Sequence, residues 1–446
     1  MDLSDRLQNV AVLGAAGKMG SGISLLLARD LAMAKLAPEN KDKVYRLALI
    51  DLNEAALDGL MNYLRAQLLK MAEKSVGQLR GLYADRRDLV ENGEMIQEFV
   101  SLALSQVRPA TEMEAVGGAT LVFEAVFENE KLKIELLNRA KKHADADAWY
   151  LTNTSSIPIG GLDAKLELDG RIAGYHFYNP PAVQKLLELI TTDATKPELK
   201  KAGAELAKRL GKKVFPANDI AGFIGNGHFM RDGLHAIAEA DRLRDGGDWA
   251  PGLYKMNRVS QEWLVRPMGI FQLIDYVGVD VTQMILGVMN TYLPGQNLHS
   301  DFIDALVKNE VLGGQHHDGS QKDGILKYER GKPVAVYDLG KGDYVPFASG
   351  LAEAADQELG PLPDGYRPWK ALLMDRGKKD VLDRHFATVT ASETEGARLA
   401  QNYLKASKRI GEALVSDGVA LSADDVNGVM VNGFFHLYGP INDYAA

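Results

Sequence analysis

The N-terminal segment, as far as Ala34, restricts the fold more than any other part of the chain. The β-branched run Asn9-Val-Ala-Val-Leu13 is followed by Gly14-Ala-Ala-Gly17-Lys18-Met19-Gly20-Ser-Gly22, and then by the apolar-rich stretch Ile23 to Ala34. A strand, a glycine turn and a helix in that order form the phosphate-binding unit of a dinucleotide fold. One glycine permits the tight turn, one lets the backbone approach a pyrophosphate, and one allows the helix to pack closely on the strand, while the helix N-terminus directs free N–H groups at the anion. Gly14, Gly17 and Gly20 are therefore expected to line a cofactor site. The spacing is G-x-x-G-x-x-G, one residue longer in its first gap than the common G-x-G-x-x-G.

A second strand, Arg46-Leu-Ala-Leu-Ile50, ends in Asp51, whose carboxylate can accept hydrogen bonds from a ribose diol and would repel a 2′-phosphate, so NAD is preferred over NADP. Asp51 lies farther along the chain from Gly20 than is usual between such a turn and its acid, and the excess is assigned to a surface insertion at Ala37 to Lys43. The competing role for Asp51 is to cap the helix that follows, Glu54 to Ala72. Further strand patterns at Ala119–Val126, Ala148–Thr152, Arg171–Tyr178, Lys185–Ile190 and Lys213–Phe215 alternate with helical ones, which implies an α/β domain with a mostly parallel sheet. Beyond Asp219 the strand patterns cease, and the rest reads as helical apart from a Gly/Lys/Asp/Pro-rich interruption from Gly313 to Gly350.

The helical part contains an echo of itself. Leu243-Arg-Asp-Gly-Gly, Tyr254-Lys-Met-Asn257, Pro267-Met-Gly-Ile-Phe and Asp275-Tyr276 return as Leu414-Val-Ser-Asp-Gly, Asp425-Val-Asn427, Gly439-Pro-Ile and Asp443-Tyr444. The stretch from Gly246 to Gly269 is nearly as long as that from Gly418 to Gly439, which supports a duplicated helical unit. The expected layout is a Rossmann-like domain over residues 1–217, a first helical unit over 218–335, and a linker with a second helical unit over 336–446.

Composition excludes several function classes. The chain has 446 residues and no cysteine, so disulfides, thiolate metal sites and a cysteine nucleophile are excluded. A net charge of −9 supplies no global basic field for nucleic acid or anionic lipid, and no apolar run approaches the roughly 18 residues of a membrane span. The acidic, charged start lacks the pattern of a secretory leader, and a cytoplasmic protein is expected. Adjacent His316 and His317 without an ordered third ligand give no reason to expect a metal.

His176 ends one strand pattern and Glu188 lies within the next, so adjacent strands can bring the two together. A carboxylate beside an imidazole orients the ring, and such a base beside a nicotinamide suits removal of a hydroxyl proton as hydride leaves the same carbon.

The chain resembles the L-3-hydroxyacyl-CoA dehydrogenase family, including longer bacterial members with tandem helical units. The resemblance rests on Lys18-Met19-Gly20-Ser-Gly22-Ile23, on Glu124-Ala125-Val-Phe-Glu128-Asn129 with Lys133, and on Thr152-Asn153-Thr-Ser155-Ser156. It also rests on His176-Phe-Tyr-Asn179-Pro180 with Glu188, on Gly222-Phe-Ile-Gly-Asn226, and on Pro267-Met-Gly-Ile-Phe. It implies that His176 is the acid/base residue and Glu188 its partner, with Ser155 and Asn226 hydrogen-bonding the reacting oxygen. Lys18, Met19, Asp51, Ala125, Glu128, Lys133 and Asn153 would join the glycines at NAD, and Lys133 could instead lie on a solvated helix face. Asn179 would fix the turn at Pro180 beside the substrate. Lys70 and Lys74, on the helix after Asp51, would meet CoA phosphates.

The implied reaction is reversible NAD-dependent oxidation of a 3-hydroxyacyl-CoA to the 3-ketoacyl-CoA. The alternatives are a dehydrogenase of a hydroxy acid lacking CoA and a non-catalytic dinucleotide-binding protein. The expected partner is a small molecule, with the chain acting as a monomer through its internal duplication or as a homodimer. Three residues depart from the family pattern: the extra alanine of the first turn, Gly227 where arginine is usual, and Pro181 in place of a small apolar residue.

Overall fold

The structure is a computed structural model that describes residues 1–316 and 319–445, and the chain divides into two compact units, Met1–Asp219 and Ile220–Ala446. The first unit is built on one eight-stranded sheet. Its strands are β1 (Asn9–Leu13), β2 (Arg46–Ile50), β3 (Val107–Ala110), β4 (Leu121–Glu124), β5 (Trp149–Thr152), β6 (Ile172–Phe177), β7 (Leu186–Thr191) and β8 (Lys213–Asn218), in the spatial order 3-2-1-4-5-6-7-8. β1 to β6 run parallel, β7 is antiparallel to β6, and β8 is parallel to β7.

The central strands read as continuous apolar runs because both faces are covered. Every residue of β4, β5 and β6 is buried. The order of strands reverses between β1 and β4, and the crevice beyond their carboxyl ends is where open α/β sheets bind ligands. The glycine turn opens there.

Helix Lys18–Leu36 follows β1 with Gly17 as its N-cap, and the polar stretch before β2 holds only a short 3-10 turn, Pro38–Asn40. Asn53, rather than Asp51, caps the next helix, Glu54–Lys74, by accepting from Ala56 N at 3.0 Å. Between β2 and β3 the chain forms three helices, Glu54–Lys74, Val76–Leu82 and Asn92–Ser105, and the last delivers the edge strand β3.

The second unit shows the internal repeat in atomic detail. Helix Gly225–Arg242 packs on its counterpart Glu395–Ser416, and Ala250–Arg258 corresponds to Ala423–Gly433. In the first copy Asn257 Oδ1 accepts from Phe271 N at 3.1 Å, and a Cβ on Gly269 would lie 2.2 Å from that oxygen. In the second, Asn427 Oδ1 accepts from Ile441 N at 2.9 Å, and a Cβ on Gly439 would lie 2.1 Å from it. Even the strained backbone recurs: Val265 and Phe435, at the same offset before Gly269 and Gly439, hold φ at 50° and 55°.

The Gly/Lys/Asp/Pro-rich interruption is more than a loop. It carries a small antiparallel sheet of β9 (Leu326–Glu329), β10 (Lys332–Asp338) and β11 (Asp343–Pro346). Buried Asp275 anchors this sheet by accepting from Ile325 N at 2.6 Å, Leu326 N at 2.9 Å and Tyr328 Oη at 2.9 Å. His317, one of the two histidines considered for a metal, lies outside the described residues; His316 N donates to Ser320 O at 2.8 Å.

Candidate active site

The glycine turn is shaped by close backbone approaches. Gly14 holds φ at +73°, and a Cβ there would lie 2.8 Å from Ala125 O, at the end of the neighbouring β4. A Cβ on Gly20 would come within 2.0 Å of Gly14 O, so only glycine lets the helix start so near the turn. The extra residue of the first gap has a defined place: Ala16 N donates to Asp51 Oδ2 at 3.0 Å. Asp51 is thus joined to the turn, its other oxygen 3.4 Å from Asn53 N. Gly17 contributes no side chain to close the first turn of the helix, and Lys18 and Met19 begin it, Lys18 exposed and Met19 half-buried. A cradle that a Cβ would fill, an open helix N-terminus and an acidic residue at the end of β2 together suit a dinucleotide.

Pro181 also finds its reason here. It lies against helix Lys18–Leu36, where a Cβ on Gly22 would sit 2.9 to 3.0 Å from its ring. The Asn179–Pro180 peptide is cis. Buried Lys212 reaches under this loop, donating to Pro181 O and, at 2.6 Å, to Gln184 O.

A second cluster lies beyond β4 and β5. Lys133 is 1% exposed, which rules out the solvated helix face. Its ammonium meets Glu124 Oε1 at 2.8 Å, Glu128 Oε2 at 3.2 Å and Val126 O at 3.4 Å, so its three protons face three acceptors. Burial alone would lower the Lys133 pKa, but the two carboxylates raise it above the ordinary lysine value. Burial likewise pushes the Glu128 carboxyl up, and Lys133 with the donors of Thr154 and Ser155 outweighs this and holds it below the ordinary glutamate value.

Glu128 Oε1 gathers the loop after β5. It accepts from Thr154 Oγ1 at 2.6 Å, Ser155 N at 2.9 Å and Ser156 N at 3.1 Å, and lies 3.3 Å from Ser155 Oγ. Ser155 is therefore placed by the Glu128 carboxylate, which shares the Lys133 ammonium with Glu124. Asn153 ties the same loop to β6, its Oδ1 accepting from Phe177 N at 2.9 Å. Both Lys133 and Asn153 thus have structural partners inside the domain, besides any contact with a cofactor.

The third cluster is the acid/base pair. In the antiparallel register of β6 and β7, His176 stands directly opposite Glu188, and His176 Nδ1 lies 2.8 Å from Glu188 Oε2. Glu188 is fully buried and His176 is 7% exposed. Sequence reasoning missed Tyr178, whose hydroxyl donates to the same Oε2 at 2.9 Å. Alternation along an extended chain was the available signal, because residues 176 and 178 share a side.

The remaining expected residues are spread more widely. Asn179 is half-buried on the cis-proline loop. Lys70 and Lys74 are exposed one turn apart near the C-terminal end of helix Glu54–Lys74. Asn226 is half-buried at the second position of helix Gly225–Arg242, in the second unit. Gly227, beside it, lies against the second repeat, where a Cβ would be 3.0 Å from Leu414 Cδ2.

Parallel sheet, glycine cradle and a carboxylate-bound histidine at the strand ends define a nicotinamide-dependent oxidoreductase. Residues 9–220 match the family model described as 3-hydroxyacyl-CoA dehydrogenase, NAD binding domain, and residues 255–323 match the C-terminal domain of the same family. The mitochondrial hydroxyacyl-coenzyme A dehydrogenase of Rattus norvegicus is 30% identical over 319 residues, covering 71% of this chain and 91% of the relative. The chain belongs to the 3-hydroxyacyl-CoA dehydrogenase family.

Among solved structures, 3-hydroxybutyryl-CoA dehydrogenase from Escherichia coli superposes with a TM-score of 0.63 at 20% identity, over 98% of this chain and 90% of that one. That likeness of fold extends over the helical repeat. FadB2 from M. tuberculosis gives a TM-score of 0.55 at 26% identity, over 72% of this chain and 99% of its own.

Proposed function

We propose that the protein oxidises the 3-hydroxyl of a 3-hydroxyacyl-CoA, and reduces the 3-ketoacyl-CoA in reverse, with His176 as the base. The observation that carries this reading is the His176–Glu188 contact of 2.8 Å, formed across two paired strands. With Nδ1–H donating to the carboxylate, Nε2 is the basic nitrogen, and it takes the hydroxyl proton. NAD, when bound, supplies the acceptor for the hydride that leaves C3, so the C–OH becomes C=O with one proton on His176. Glu188 stabilises the imidazolium that results without itself taking the proton.

Ser155, on the loop that Glu128 holds, is a neutral donor suited to the substrate oxygen, polarising a carbonyl without quenching the base, and Asn226 of the second unit carries a donor of the same neutral kind. Gly14, Gly17 and Gly20 admit the pyrophosphate, and Asp51 receives the ribose. Lys70 and Lys74 give the exposed positive charge that a CoA nucleotide requires on the helix after Asp51.

The test is NADH formation from L-3-hydroxybutyryl-CoA and longer thioesters beside the matching free hydroxy acids. Turnover of thioesters at least about a hundredfold above the free acids is expected, as a site that uses remote nucleotide binding loses rate on truncated substrates. Equal or better turnover of a free acid would shift the substrate class, and tight NAD binding with no turnover on either would leave a binding protein.

A further inference from the structure

Glu188 Oε2 is shared. It takes Nδ1 of His176 at 2.8 Å from the facing strand and the Tyr178 hydroxyl at 2.9 Å from the residue just beyond that strand. The tyrosine ring also lies against the imidazole, with centroids 4.8 Å apart and planes inclined at 41°. One side chain therefore touches both members of the pair: the ring limits rotation of the imidazole, and the hydroxyl limits rotation of the carboxylate. We infer that Tyr178 is a positioning residue for the dehydrogenase reaction, holding Glu188 in the one orientation that presents His176 as a base.

The chemistry of the hydroxyl suits this role. Burial, and next the charge of Glu188, raise the Tyr178 pKa well above the ordinary phenol value, so the group remains a neutral donor wherever the enzyme works. Two donors converging on one oxygen are best met by an ionised carboxylate, and a hydrogen bond to a charged acceptor is stronger than one between neutral groups. A phenylalanine would keep the ring contact and lose only the second anchor. The carboxylate would then rotate about its terminal bond, and the imidazole would spend less time aimed at the substrate.

This inference rests on the His176–Glu188 reading, and the experiment separates the two. Tyr178→Phe is expected to lower kcat about tenfold, the usual weight of one hydrogen bond to a charged group. KM for NAD and for substrate should stay within about twofold, so that the loss falls on kcat. In a Glu188→Gln background the same substitution should cause no further loss beyond about twofold, because a residue acting through Glu188 has nothing left to position. Full turnover in Tyr178→Phe, or losses that multiply in the double variant, would overturn the inference while leaving the dyad intact. A His176→Gln enzyme that retains turnover would instead remove the dyad reading itself.

Discussion

Replacing His176 with glutamine is expected to reduce turnover by about 10³-fold, within the range that a positioned general base contributes. Glutamine keeps a polar group of similar reach against Glu188 but cannot accept the hydroxyl proton. NAD affinity should be unchanged, since the residues that fit the dinucleotide, Gly14, Gly20 and Asp51, stand in the turn after β1, in the first turn of helix Lys18–Leu36 and just beyond β2 rather than on β6. Rapid mixing with saturating cofactor, read by NADH absorbance, with calorimetric titration of NAD alongside, checks both halves. Loss of NAD binding in parallel with turnover would show that the substitution had disturbed the domain instead of the chemistry.

The stability of the helical unit is expected to fall steeply as the solution becomes mildly acidic. Three histidines there, His228, His385 and His436, are buried, and His235 is half-buried. Burial lowers the pKa of all four, and Arg266 lowers His436 further. In the folded unit they stay neutral where the unfolded chain, with histidines near the ordinary value of about 6.5, takes up protons. Unfolding therefore binds protons as the pH drops below about 6.5, and stability present above that value is lost below it.

Asp275 works the other way. Burial lifts its carboxyl to about 7, so the folded state holds a proton that the unfolded chain releases down to about pH 4. Four histidines against one aspartate leave a net uptake of up to about three protons, each worth ~1.4 kcal/mol per pH unit. Three of the four tryptophans, Trp249, Trp263 and Trp369, lie in this unit, so tryptophan fluorescence reports its unfolding. The urea midpoint should fall clearly between pH 7 and 5.5, and the slope should flatten in a protein carrying His228→Gln and His436→Gln. A midpoint that is flat or rises over that interval would contradict the assignment.

Three of these histidines, His228, His235 and His436, lie around a buried ion pair of the first repeat whose hydrogen bonds reach the second. Arg266 Nη1 meets Asp232 Oδ2 at 2.7 Å, Arg266 Nη2 donates to Ser407 Oγ at 3.2 Å, and Tyr403 Oη donates to Asp232 Oδ2 at 3.0 Å. Arg266 and His436 occupy equivalent places, each following the residue with positive φ. The duplicated sequence has thus given rise to a charged centre in which one copy supplies the guanidinium and the other an uncharged imidazole. Removing one partner from such a pair costs about 3–5 kcal/mol, because the other is left as an uncompensated buried charge.

How far the sequence could be read depended on the range of the interaction. The glycine turn, Asp51 and seven of the eight strands of the large sheet follow from local patterns, the short edge strand β3 being the exception, and the His176–Glu188 pair follows from two adjacent strands with a short connection. The repeat was legible because one constraint, an asparagine side chain pressed on a later glycine, acts twice at the same spacing, as Asn257 on Gly269 and as Asn427 on Gly439. Lys133 was ambiguous for a physical reason. Its partners Glu124 and Glu128 lie on β4 and the loop after it, and helical periodicity within Glu130–Lys141 carries no sign that a lysine turns inward to meet them. The small sheet β9–β11 was hidden because its outer strands β9 and β11 are only four residues long and largely exposed, and because its anchor, Asp275, lies far upstream in helix Ile270–Val277.

Hydrogen is expected to leave C3 of the substrate for the nicotinamide while His176 takes the proton. This transfer is tested most directly by following deuterium from 3-deuterio-L-3-hydroxybutyryl-CoA in the presence of NAD. One deuterium in every NADH formed, together with a slowed single-turnover rate, is the expected result. Unlabelled NADH, or label released to water, would contradict it.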